Sequence, residues 1–570
     1  MKQYLLLFVA IWLGALAAHG EDTYVIKSVA FTGDTAFLKS PNSTAEISQR
    51  FAGNQTEASI EAGVKTLNDS LIDQGFYLAN LTAEYDRIDE GILTLTIDQG
   101  RLGKINYYRL PGGFKGTDVE TRQAKRQPYR GYFGADQLNA GFQPQVSRAF
   151  NYNDLHLEIF RLNALPDLSV DTDMKVREEA DEKSIPRRYV DLDFYVQDRL
   201  PIHGVFEIKN TGTRRTDEER IDLTLQHLNL TKHNDTLSFN LLGSLDMETL
   251  RTISSSYNFP IYNGGLSLTA GYSDLKVDEV VSGIDLAADG WFVGNRNFHH
   301  LFDNSSHTLN VAYGIQFTQL SDSLILNQGV QVKTDIQTAP VSAGLIYHSN
   351  KPDLFNGRNF LTLLVTQNAG DAFGVTKEAE VQAIREDAAA DYNYAQLQGS
   401  RIQSIGGKID DVSGEQIYAH YIFANFDLQY SGEPLLSADK KVVGGLESVR
   451  GYPENFVAGD NGFSGKLEVR TLIFKGALTK WLGRNKNFDE RRRYTADYIQ
   501  LTGFLDGAYV EDEATTSIPS QNATLLGAGA GLRFSVTGNS QLKLDYGYPI
   551  KDAEGASKNG RLHFAFETQF

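Results

Sequence analysis

Apolar and polar residues alternate along this chain with two different periods, and the change falls near residue 200. In the stretch Glu57–Gln74, apolar residues recur every three or four positions, which predicts an amphipathic helix. In His307–Gln319 they recur at every second position, which predicts a strand with one apolar face. The chain therefore divides into an α/β part followed by an all-β part.

The first twenty residues have the pattern of a secretory signal peptide. Lys2 precedes an apolar stretch from Tyr4 to Ala18, and the small residues Ala18 and Gly20 mark a cleavage site before Glu21. The alternative is a single membrane anchor, but the stretch is shorter than the ~18–20 residues that span a bilayer. We therefore expect residues 1–20 to be removed on export.

Residues 21–102 predict one small α/β domain with the order β-α-α-β-β. Its longer helix carries one apolar stripe and ends at Gly75, as a helix that stops at a glycine should. The predicted elements are, in order, the strand Tyr24–Phe31, the helices Ala45–Phe51 and Glu57–Gln74, and the strands Phe76–Asp86 and Ile92–Asp98.

Residues 103–199 repeat this order. Asn153 is expected to cap a helix on which Leu155, Ile159 and Leu162 share one face. The strands of this second domain are Lys104–Leu110, one near Leu168–Val176, and Tyr189–Gln197.

The repeated unit resembles POTRA domains, the periplasmic modules that receive unfolded chains ahead of an outer-membrane barrel. This resemblance implies two small POTRA-like periplasmic domains. Each sheet of this kind has an open edge, and an open edge is a template to which a client strand can add. The alternative is that the two domains are spacers only.

Residues 200–570 carry the strand pattern of a barrel. The alternation of His307–Gln319 recurs in Gly265–Ser273 and in Gln541–Ile550. Segments of ~10 residues with apolar positions towards lipid are typical of a transmembrane β-barrel, although a soluble sandwich buries a similar stripe. The signal peptide, the 27 Tyr and the absence of Cys favour the membrane. At ~23 residues for a strand and its connection, this part predicts about sixteen antiparallel strands.

The predicted connections alternate between short and long. The long ones lie near 274–290, 370–414 and 449–461, and the second of them contains a possible surface helix over Lys377–Gln398. The last predicted strand, Arg561–Phe570, ends in an aromatic residue, which resembles the assembly signal of bacterial outer-membrane proteins. The short connections, interpreted as periplasmic turns, are Asn234-Asp235-Thr236, Tyr262-Asn263-Gly264 and Gly538-Asn539-Ser540.

The composition removes several classes of function. The chain has 570 residues, no Cys and a formal net charge of −18. Without Cys it forms no disulfide and no thiolate metal site, and its acidic balance argues against nucleic acid as a partner. No Gly-x-Ser-x-Gly elbow, His-Glu-x-x-His or Cys/His cluster is present. We therefore expect no enzymatic activity, no metal and no cofactor.

One motif points to a family. The tetrapeptide Val449-Arg450-Gly451-Tyr452 follows a glycine pair and precedes the strand Lys466–Phe474. Placed after two POTRA-like repeats and before further strands, it resembles the Val-Arg-Gly-Tyr/Phe loop of the two-partner secretion transporters. These transporters are the haemolysin- and haemagglutinin-exporting branch of the outer-membrane insertase superfamily.

The resemblance implies a site in the barrel lumen. In that family the loop folds back into the lumen, where its arginine meets an acidic residue in a Phe-x-Asp pattern, which here is Phe504 and Asp506. Alternation across Tyr498–Val510 places both residues on the inward, polar face. The alternative is a tight turn at Gly451 on an outer loop, with Arg450 exposed to solvent. On the next strand, three glycines share one face and leave room for a loop: Gly527, Gly529 and Gly531.

The family resemblance also implies a function. It predicts a translocator that passes a large unfolded exoprotein from the periplasm to the cell surface, with outer-membrane lipid, periplasmic chaperones and the barrel assembly machinery as further partners and a monomeric state. A barrel assembly factor of the same superfamily, a passive porin and an adhesin are the alternatives. Because few residues separate Glu21 from the first strand, we expect no N-terminal plug helix.

Overall fold

The structure is a computed structural model, which describes residues 23–35, 41–111, 118–139, 149–180, 186–281, 284–304, 306–326, 331–406, 419–475, 498–536 and 539–570. The predicted signal peptide lies outside these residues, and so does the segment that bears on a plug helix. The chain divides between Leu200 and Pro201 into two compact units. Among the described residues, helices long and apolar enough to cross a membrane are absent.

The first module of the N-terminal unit consists of β1 (Thr23–Ile26), β2 (Ser28–Gly33), α1 (Pro41–Phe51), β3 (Gly53–Thr56), α2 (Glu57–Asp73), β4 (Asn80–Glu84) and β5 (Ile92–Asp98). One sheet has the order β2-β5-β4, and β1 pairs separately with β3. The Thr56 hydroxyl caps α2 by accepting the Ser59 amide at 3.2 Å. The buried Ile60 of α2 packs into the apolar core of the module.

The predicted first strand is wrong in one respect. Tyr24–Phe31 is divided at Lys27 into β1 and β2, which belong to different sheets. The amides of Lys27 and Ser28 both donate to the carbonyl of Gly91, at 2.8 and 3.2 Å, and this shared acceptor marks the break between the strands.

The second module consists of β6 (Arg101–Arg109), α3 (Val119–Lys125), β7 (Gln127–Pro128), α4 (Ala135–Asn139), α5 (Tyr152–Asn163), β8 (Leu168–Ala180) and β9 (Pro186–Asp198). Its sheet has the order β7-β6-β9-β8, so the 13-residue β8 is an edge strand. The cap of α5 is Asn151 rather than the predicted Asn153. The Asn151 side chain accepts the Asn153 amide at 2.8 Å, because the helix begins two residues earlier than expected.

The second unit is a closed antiparallel barrel. Strands β17 and β18 pair one after the other with β16 and are separated by Ala339, so they occupy one position in the wall. The described barrel therefore has sixteen strand positions, as predicted. The elements are β10 (Ile202–Lys209), β11 (Arg220–His227), β12 (Thr236–Ser244), β13 (Leu250–Ile261), β14 (Gly264–Val281), β15 (Ile284–Asp303), β16 (His307–Leu326), β17 (Gln331–Thr338), β18 (Pro340–Ser349), β19 (Gly357–Asn368), α6 (Glu378–Ile384), β20 (Asn393–Gly406), β21 (His420–Ser431), β22 (Lys441–Val443), β23 (Val457–Gly459), β24 (Asn461–Lys475), β25 (Tyr498–Asp512), β26 (Gln521–Val536), β27 (Ser540–Pro549) and β28 (Arg561–Gln569).

The two faces of the wall differ as a membrane barrel requires. On β25, Leu501 and Leu505 point outward and are each 47% exposed, whereas Phe504 and Asp506 point inward and are buried. Apolar residues on the outer face can contact lipid, and polar residues face the lumen.

We call the end of the barrel at which β10 begins the base, and the opposite end the rim. The three predicted short turns all lie at the base, although residue 538 of the last one lies outside the described residues. Two predicted rim loops are wrong in extent. Residues 274–290 consist mostly of β14 and β15, and residues 370–414 contain the whole of β20; within the latter, the expected helix is the shorter α6.

The barrel closes where its first strand meets its last. β10 and β28 are paired over five residues, from Val205 with Gln569 to Lys209 with Ala565. Beyond the end of β10, the side-chain amide of Asn210 donates to the Leu562 carbonyl and accepts the Phe564 amide, both at 2.8 Å. The Asn210 backbone amide also donates to the Phe564 carbonyl at 3.2 Å, so backbone and side chain together continue the ladder beyond β10.

Candidate functional site

The predicted motif lies at the tip of the connection between β21 and β24, residues 432–460, which we call the motif loop. Its stem is the antiparallel pair β22 and β23, in which Lys441 faces Gly459. The tip turns at Gly444, Gly445 and Gly451, whose φ angles are +111°, +94° and +99°. Glycine adopts these angles at little cost, so the sequence permits the fold of the tip.

The tip is held by its own hydrogen bonds. The Gly444 amide donates to the Ser448 hydroxyl at 2.6 Å, and the Gly445 amide donates to the Val449 carbonyl at 3.1 Å. The Leu446 amide donates to the Glu454 carboxylate at 2.7 Å. The motif therefore belongs to a preformed turn rather than to an extended segment.

Arg450 points from this turn into the barrel wall. Its Nε and Nη2 donate to the two carboxylate oxygens of Asp506 at 2.7 and 2.8 Å, and its own amide donates to Asp506 Oδ2 at 3.1 Å. Its Nη1 lies 2.6 Å from Glu468 Oε1 and 3.1 Å from Asp545 Oδ2. Only 2% of the Arg450 side chain is exposed. One buried guanidinium therefore binds carboxylates from three strands.

Two further arginines balance the charge of this cluster. Arg470 Nε donates to Glu468 Oε2 at 2.7 Å, and Arg533 binds Asp545 through two bonds of 2.5 and 2.7 Å. Among the described residues, all hydrogen bonds donated to the Asp506 carboxylate come from Arg450. Asp506 therefore depends on the loop for its cation, whereas Glu468 and Asp545 each have a second one.

Two aromatic side chains, Phe504 of the wall and Tyr452 of the loop, also hold the loop in place. The Phe504 ring lies under the guanidinium, with its centre 3.5 Å from the Arg450 Cζ atom, which is the geometry of a cation–π contact. The Tyr452 hydroxyl lies 2.5 Å from the Lys551 carbonyl and accepts the Leu526 amide at 3.3 Å. Both rings are buried, so the loop is packed against the wall as well as ion-paired to it.

Four glycines on β26 and β27 make room for these contacts in two ways. A Cβ atom on Gly527 would overlap the Arg450 carbonyl, and one on Gly547 would lie 2.5 Å from the Gly451 amide nitrogen. A Cβ on Gly529 would lie 2.5 Å from the Phe504 ring, and one on Gly531 would overlap the Asp545 carboxylate. Gly527 and Gly547 therefore admit the loop backbone, while the other two admit side chains of the cluster.

The last strand also contacts the motif. The Gly451 amide donates to His563 Nε2 at 3.2 Å, and His563 Nδ1 lies 3.4 Å from Glu454 Oε1. His563 is fully buried. The loop is therefore held by strands β24 to β28, which we call the ionic wall.

The other side of the lumen is open. A cavity of about 530 Å³ is bounded by strands β12 to β20, and Arg296 and Asp439 are its charged lining residues. A second cavity, of about 550 Å³, lies between strands β19 to β24 and the motif loop. We call the inner face of β12–β14, which lines the first cavity, the hydroxyl wall; its lining residues include Ser238, Asn240, Ser254, Ser256, Ser267 and Thr269.

Asp439 is the carboxylate of the first cavity and belongs to the motif loop. The phenols of Tyr392 and Tyr394 donate to it at 2.6 and 3.1 Å. Burial raises the pKa of Asp439 above its ordinary value, although the two phenol hydrogen bonds oppose that shift.

No group of three or more His, Cys, Asp or Glu side chains in the described ranges is arranged to hold a metal ion. The chemistry of the site is ion pairing and packing of a loop against a wall.

The structure brings Arg450, Phe504 and Asp506 together and places Gly527, Gly529 and Gly531 beside them. The sequence interpretation did not assign a role to Glu468, Arg533, Asp545 or His563. Strand alternation places Glu468 and Asp545 on the same inward face as Asp506, so a charged residue on that face was the available signal. The same alternation places His563 inward, between the outward Leu562 and Phe564, but it does not indicate that the partners of His563 are the Gly451 amide and Glu454.

Comparisons with known proteins agree with this architecture. The family described as haemolysin secretion/activation protein ShlB/FhaC/HecB matches residues 189–480, just over half of the chain. A search of curated protein sequences found no match.

Several solved structures are similar in fold. CdiB from Escherichia coli is 16% identical, with a TM-score of 0.63 over 98% of this chain and 93% of that chain. CdiB from Acinetobacter baumannii is 15% identical, with a TM-score of 0.56 over 96% and 90% of the two chains. BamA from Haemophilus ducreyi lacking POTRA domains 1–3 is 14% identical, with a TM-score of 0.52 over 96% of this chain and 100% of that chain. At these identities the likenesses establish the fold alone: an antiparallel barrel that follows small α/β modules in the chain.

Proposed function

The chain belongs to the ShlB/FhaC/HecB haemolysin secretion/activation family, and from that membership we propose that it is the outer-membrane translocator of a two-partner secretion system. It carries a large unfolded exoprotein from the periplasm, through the barrel lumen, to the cell surface. In this arrangement the base of the barrel faces the periplasm and the rim faces the outside.

The observation that carries the proposal is the division of the lumen. The motif loop is fastened to the ionic wall through Arg450, while cavities of about 530 and 550 Å³ remain along the rest of the wall. A loop docked by ion pairs can be released without unfolding of the wall, since the strands keep their own backbone pairing when the loop leaves. Release of the loop widens these cavities into a conduit for an extended chain.

The two α/β modules are proposed to receive the client before it enters the barrel. The edge strand β8 is 13 residues long and is paired on one side only, with β9, within its sheet. An extended client segment can add to such an edge through backbone hydrogen bonds, which do not require a fixed client sequence. This binding mode suits a client that is unfolded.

The remaining partners follow from the location. Lipid contacts the outer face of the barrel, and periplasmic chaperones and the barrel assembly machinery deliver the chain to the membrane. We propose a monomer with no catalytic role, no cofactor and no nucleic acid partner.

Deletion of the gene, with restoration from a plasmid, tests the function. We expect one large protein to disappear from the culture medium and the cell surface, and to return when the intact gene is supplied. The quantity of other outer-membrane barrels is the control, and it is expected to stay constant. An unchanged set of released proteins contradicts the proposal. A general fall in outer-membrane barrels identifies an assembly factor instead.

A further inference from the structure

A second buried ion pair lies far from the motif tip, at the end of the motif loop that leads into β24. Arg385 Nη1 donates to Asp460 Oδ1 at 2.6 Å, and Arg385 Nη2 donates to Asp460 Oδ2 at 2.5 Å. The Asp460 side chain is fully buried, and 14% of the Arg385 side chain is exposed. The pair is bidentate, which is the geometry in which an arginine fixes a carboxylate most firmly.

Asp460 is shared by three connections at the rim. Its Oδ1 also accepts the Leu435 amide at 2.9 Å, and its Oδ2 also accepts the Glu513 amide at 2.8 Å. Leu435 belongs to the motif loop, and Glu513 follows β25. The carboxylate therefore accepts four hydrogen bonds, from two segments of backbone and from the Arg385 side chain.

Arg385 comes from a different connection, residues 369–392 between β19 and β20, which we call the cap segment. It contains α6, and its apolar residues form a small core with the motif loop and with strand β17. The buried members of this core are Ile336, Val381, Ala388, Ala390, Tyr392, Leu435 and Leu436. The cap segment is thus folded onto the motif loop by packing as well as by the ion pair.

The cap segment is also tied to the connection that follows β25. The Ser517 amide and hydroxyl donate to the Glu386 carboxylate at 2.9 and 3.0 Å. The Thr516 amide and hydroxyl donate to Asp387 at 2.5 and 2.7 Å. Three consecutive residues, Arg385 to Asp387, therefore join the cap segment to both neighbouring connections.

We propose that Arg385 and Asp460 form a second anchor of the motif loop, by which the cap segment holds the loop in the lumen independently of Arg450. The motif loop leaves the lumen only when the cap segment opens. The inference rests on the proposed function, because opening of the barrel matters only if something passes through it. Both residues are positioning residues, since they act on the conduit through the motif loop.

The distribution of contacts supports two anchors rather than one. Arg450 fixes the tip of the loop to strands of the wall, whereas Asp460 fixes the end of its stem to a neighbouring connection. The two sites share no residue, so the loss of one leaves the other intact. A loop held at both places stays seated when either anchor opens briefly.

The first test is conductance of the purified protein in planar bilayers, which needs no exoprotein. Arg385→Gln removes the cation and leaves Asp460 buried without its ion-pair partner. We expect the ratio of open to closed time to rise roughly 100-fold, as for loss of one partner of a buried pair. Asp460→Asn is expected to act in the same direction, and the double variant to exceed neither single by much. The control is Lys377→Gln, which removes an exposed ion pair with Glu380 in the same segment.

If the inserted and folded Arg385→Gln variant has the same ratio of open to closed time as the wild type, the proposal of a second anchor is wrong. Additive effects of the two substitutions also overturn it, because they mean that the residues act separately.

A reversible lock provides the second test and does not depend on a destabilised variant. The chain has no Cys, so Glu386→Cys with Ser517→Cys places its two thiols at the joint between the cap segment and its neighbour. A short bifunctional methanethiosulfonate is expected to suppress channel openings, and dithiothreitol to restore them. The single-cysteine variants treated in the same way are the controls. Undiminished openings in fully cross-linked protein contradict the proposal.

The lock also separates the two proposals. If openings stop but no exoprotein depends on this chain, the second anchor stands and the proposed function fails. If an exoprotein is still released through fully cross-linked protein, the proposed function stands and the second anchor fails.

Discussion

The two sides of the lumen differ in charge and in what they contact. The ionic wall carries two arginines and three carboxylates, which contact Arg450 of the motif loop or each other, and glycines that let the loop approach the strands. The hydroxyl wall carries Ser, Thr and Asn side chains around an open cavity. The charged side chains bind Arg450, and the glycines leave space for the backbone of the motif loop, so this side holds one defined segment closely. Small uncharged polar groups are wetted by water and bind nothing firmly, which suits the passage of a chain of variable sequence.

The largest effect is expected on the ionic wall. Arg450→Ala leaves Asp506 buried without its hydrogen-bonded cation, which costs about 3–5 kcal/mol of loop docking. Secretion in the proposed cycle requires the loop to dock again after each release. We therefore expect release of the exoprotein to fall close to background while the barrel still inserts, measured by immunoblot of the medium and heat-modifiable migration of the membrane fraction.

The control for this variant is Arg214→Ala, an arginine whose side chain is 87% exposed at the rim. The double variant Arg450→Ala with Asp506→Asn is expected to be little worse than either single, because no unpaired carboxylate remains at that position. Losses that add show that the two residues act separately.

A smaller effect is expected from closing the space beside the loop. Gly547→Ala places a Cβ atom 2.6 Å from the Arg450 carbonyl carbon, and backbone cannot move aside as a flexible side chain does. The overpacking is expected to cost about 1–3 kcal/mol of docking and to lower secretion by less than Arg450→Ala does. Gly503→Ala is the matched control, because its Cβ has no neighbour within 4 Å. Equal activity of the two variants contradicts the close approach.

Asp439 is the carboxylate that lines the first cavity, and its contribution to the stability of the motif loop depends on pH. Because its pKa is raised, the folded loop holds the proton more tightly than the unfolded chain does. The stabilisation is present below the ordinary value of 3.8 and is lost as the pH rises through the raised pKa. In wild type, we expect proteinase K to cleave the cap segment faster as the pH rises through that window. Asp439→Asn is expected to remove this dependence, and Asp371→Asn, at an exposed position, to keep it.

The smallest effect is expected on the hydroxyl wall. Ser256→Ala and Ser267→Ala, alone or together, remove hydroxyls that line the open cavity, and surface-like changes of this kind stay within about 0.5 kcal/mol. Secretion is expected to equal wild type in the same immunoblot. A strong loss shows that this wall recognises the client, and it removes the contrast between the two sides.

The alternation of residues was sufficient to predict the membrane part of the barrel, because lipid requires an apolar residue at every second position. It placed Asp506 inward, and the structure has the same face. It failed at residues 274–290, where β14 and β15 continue beyond the apolar band. There, Asp274, Lys276 and Asp278 occupy the positions of β14 that are apolar nearer the base, so the alternation that marks a lipid-facing strand stops although the strands continue.

The candidate site was predicted in part for a related reason. A charged residue on an inward face is visible in the sequence, as with Asp506 and Asp545. Pairing between connections is not, because nothing in a sequence fixes which rim segments fold onto each other. Arg385 and Asp460 are 75 residues apart, and neither belongs to a segment with a regular alternation of apolar and polar residues. Their contact depends on tertiary packing alone.

The pairing of the first strand with the last, β10 with β28, closes the barrel and brings together residues from the two ends of this unit. Asn210 and its partner Leu562 are 352 residues apart, so this contact forms only after nearly the whole barrel has been placed. His563, which accepts the Gly451 amide, lies on the same last strand. The hydrogen bond between the Gly451 amide and His563 therefore requires the last strand, whereas the ion pairs of Arg450 require only β24, β25 and β27.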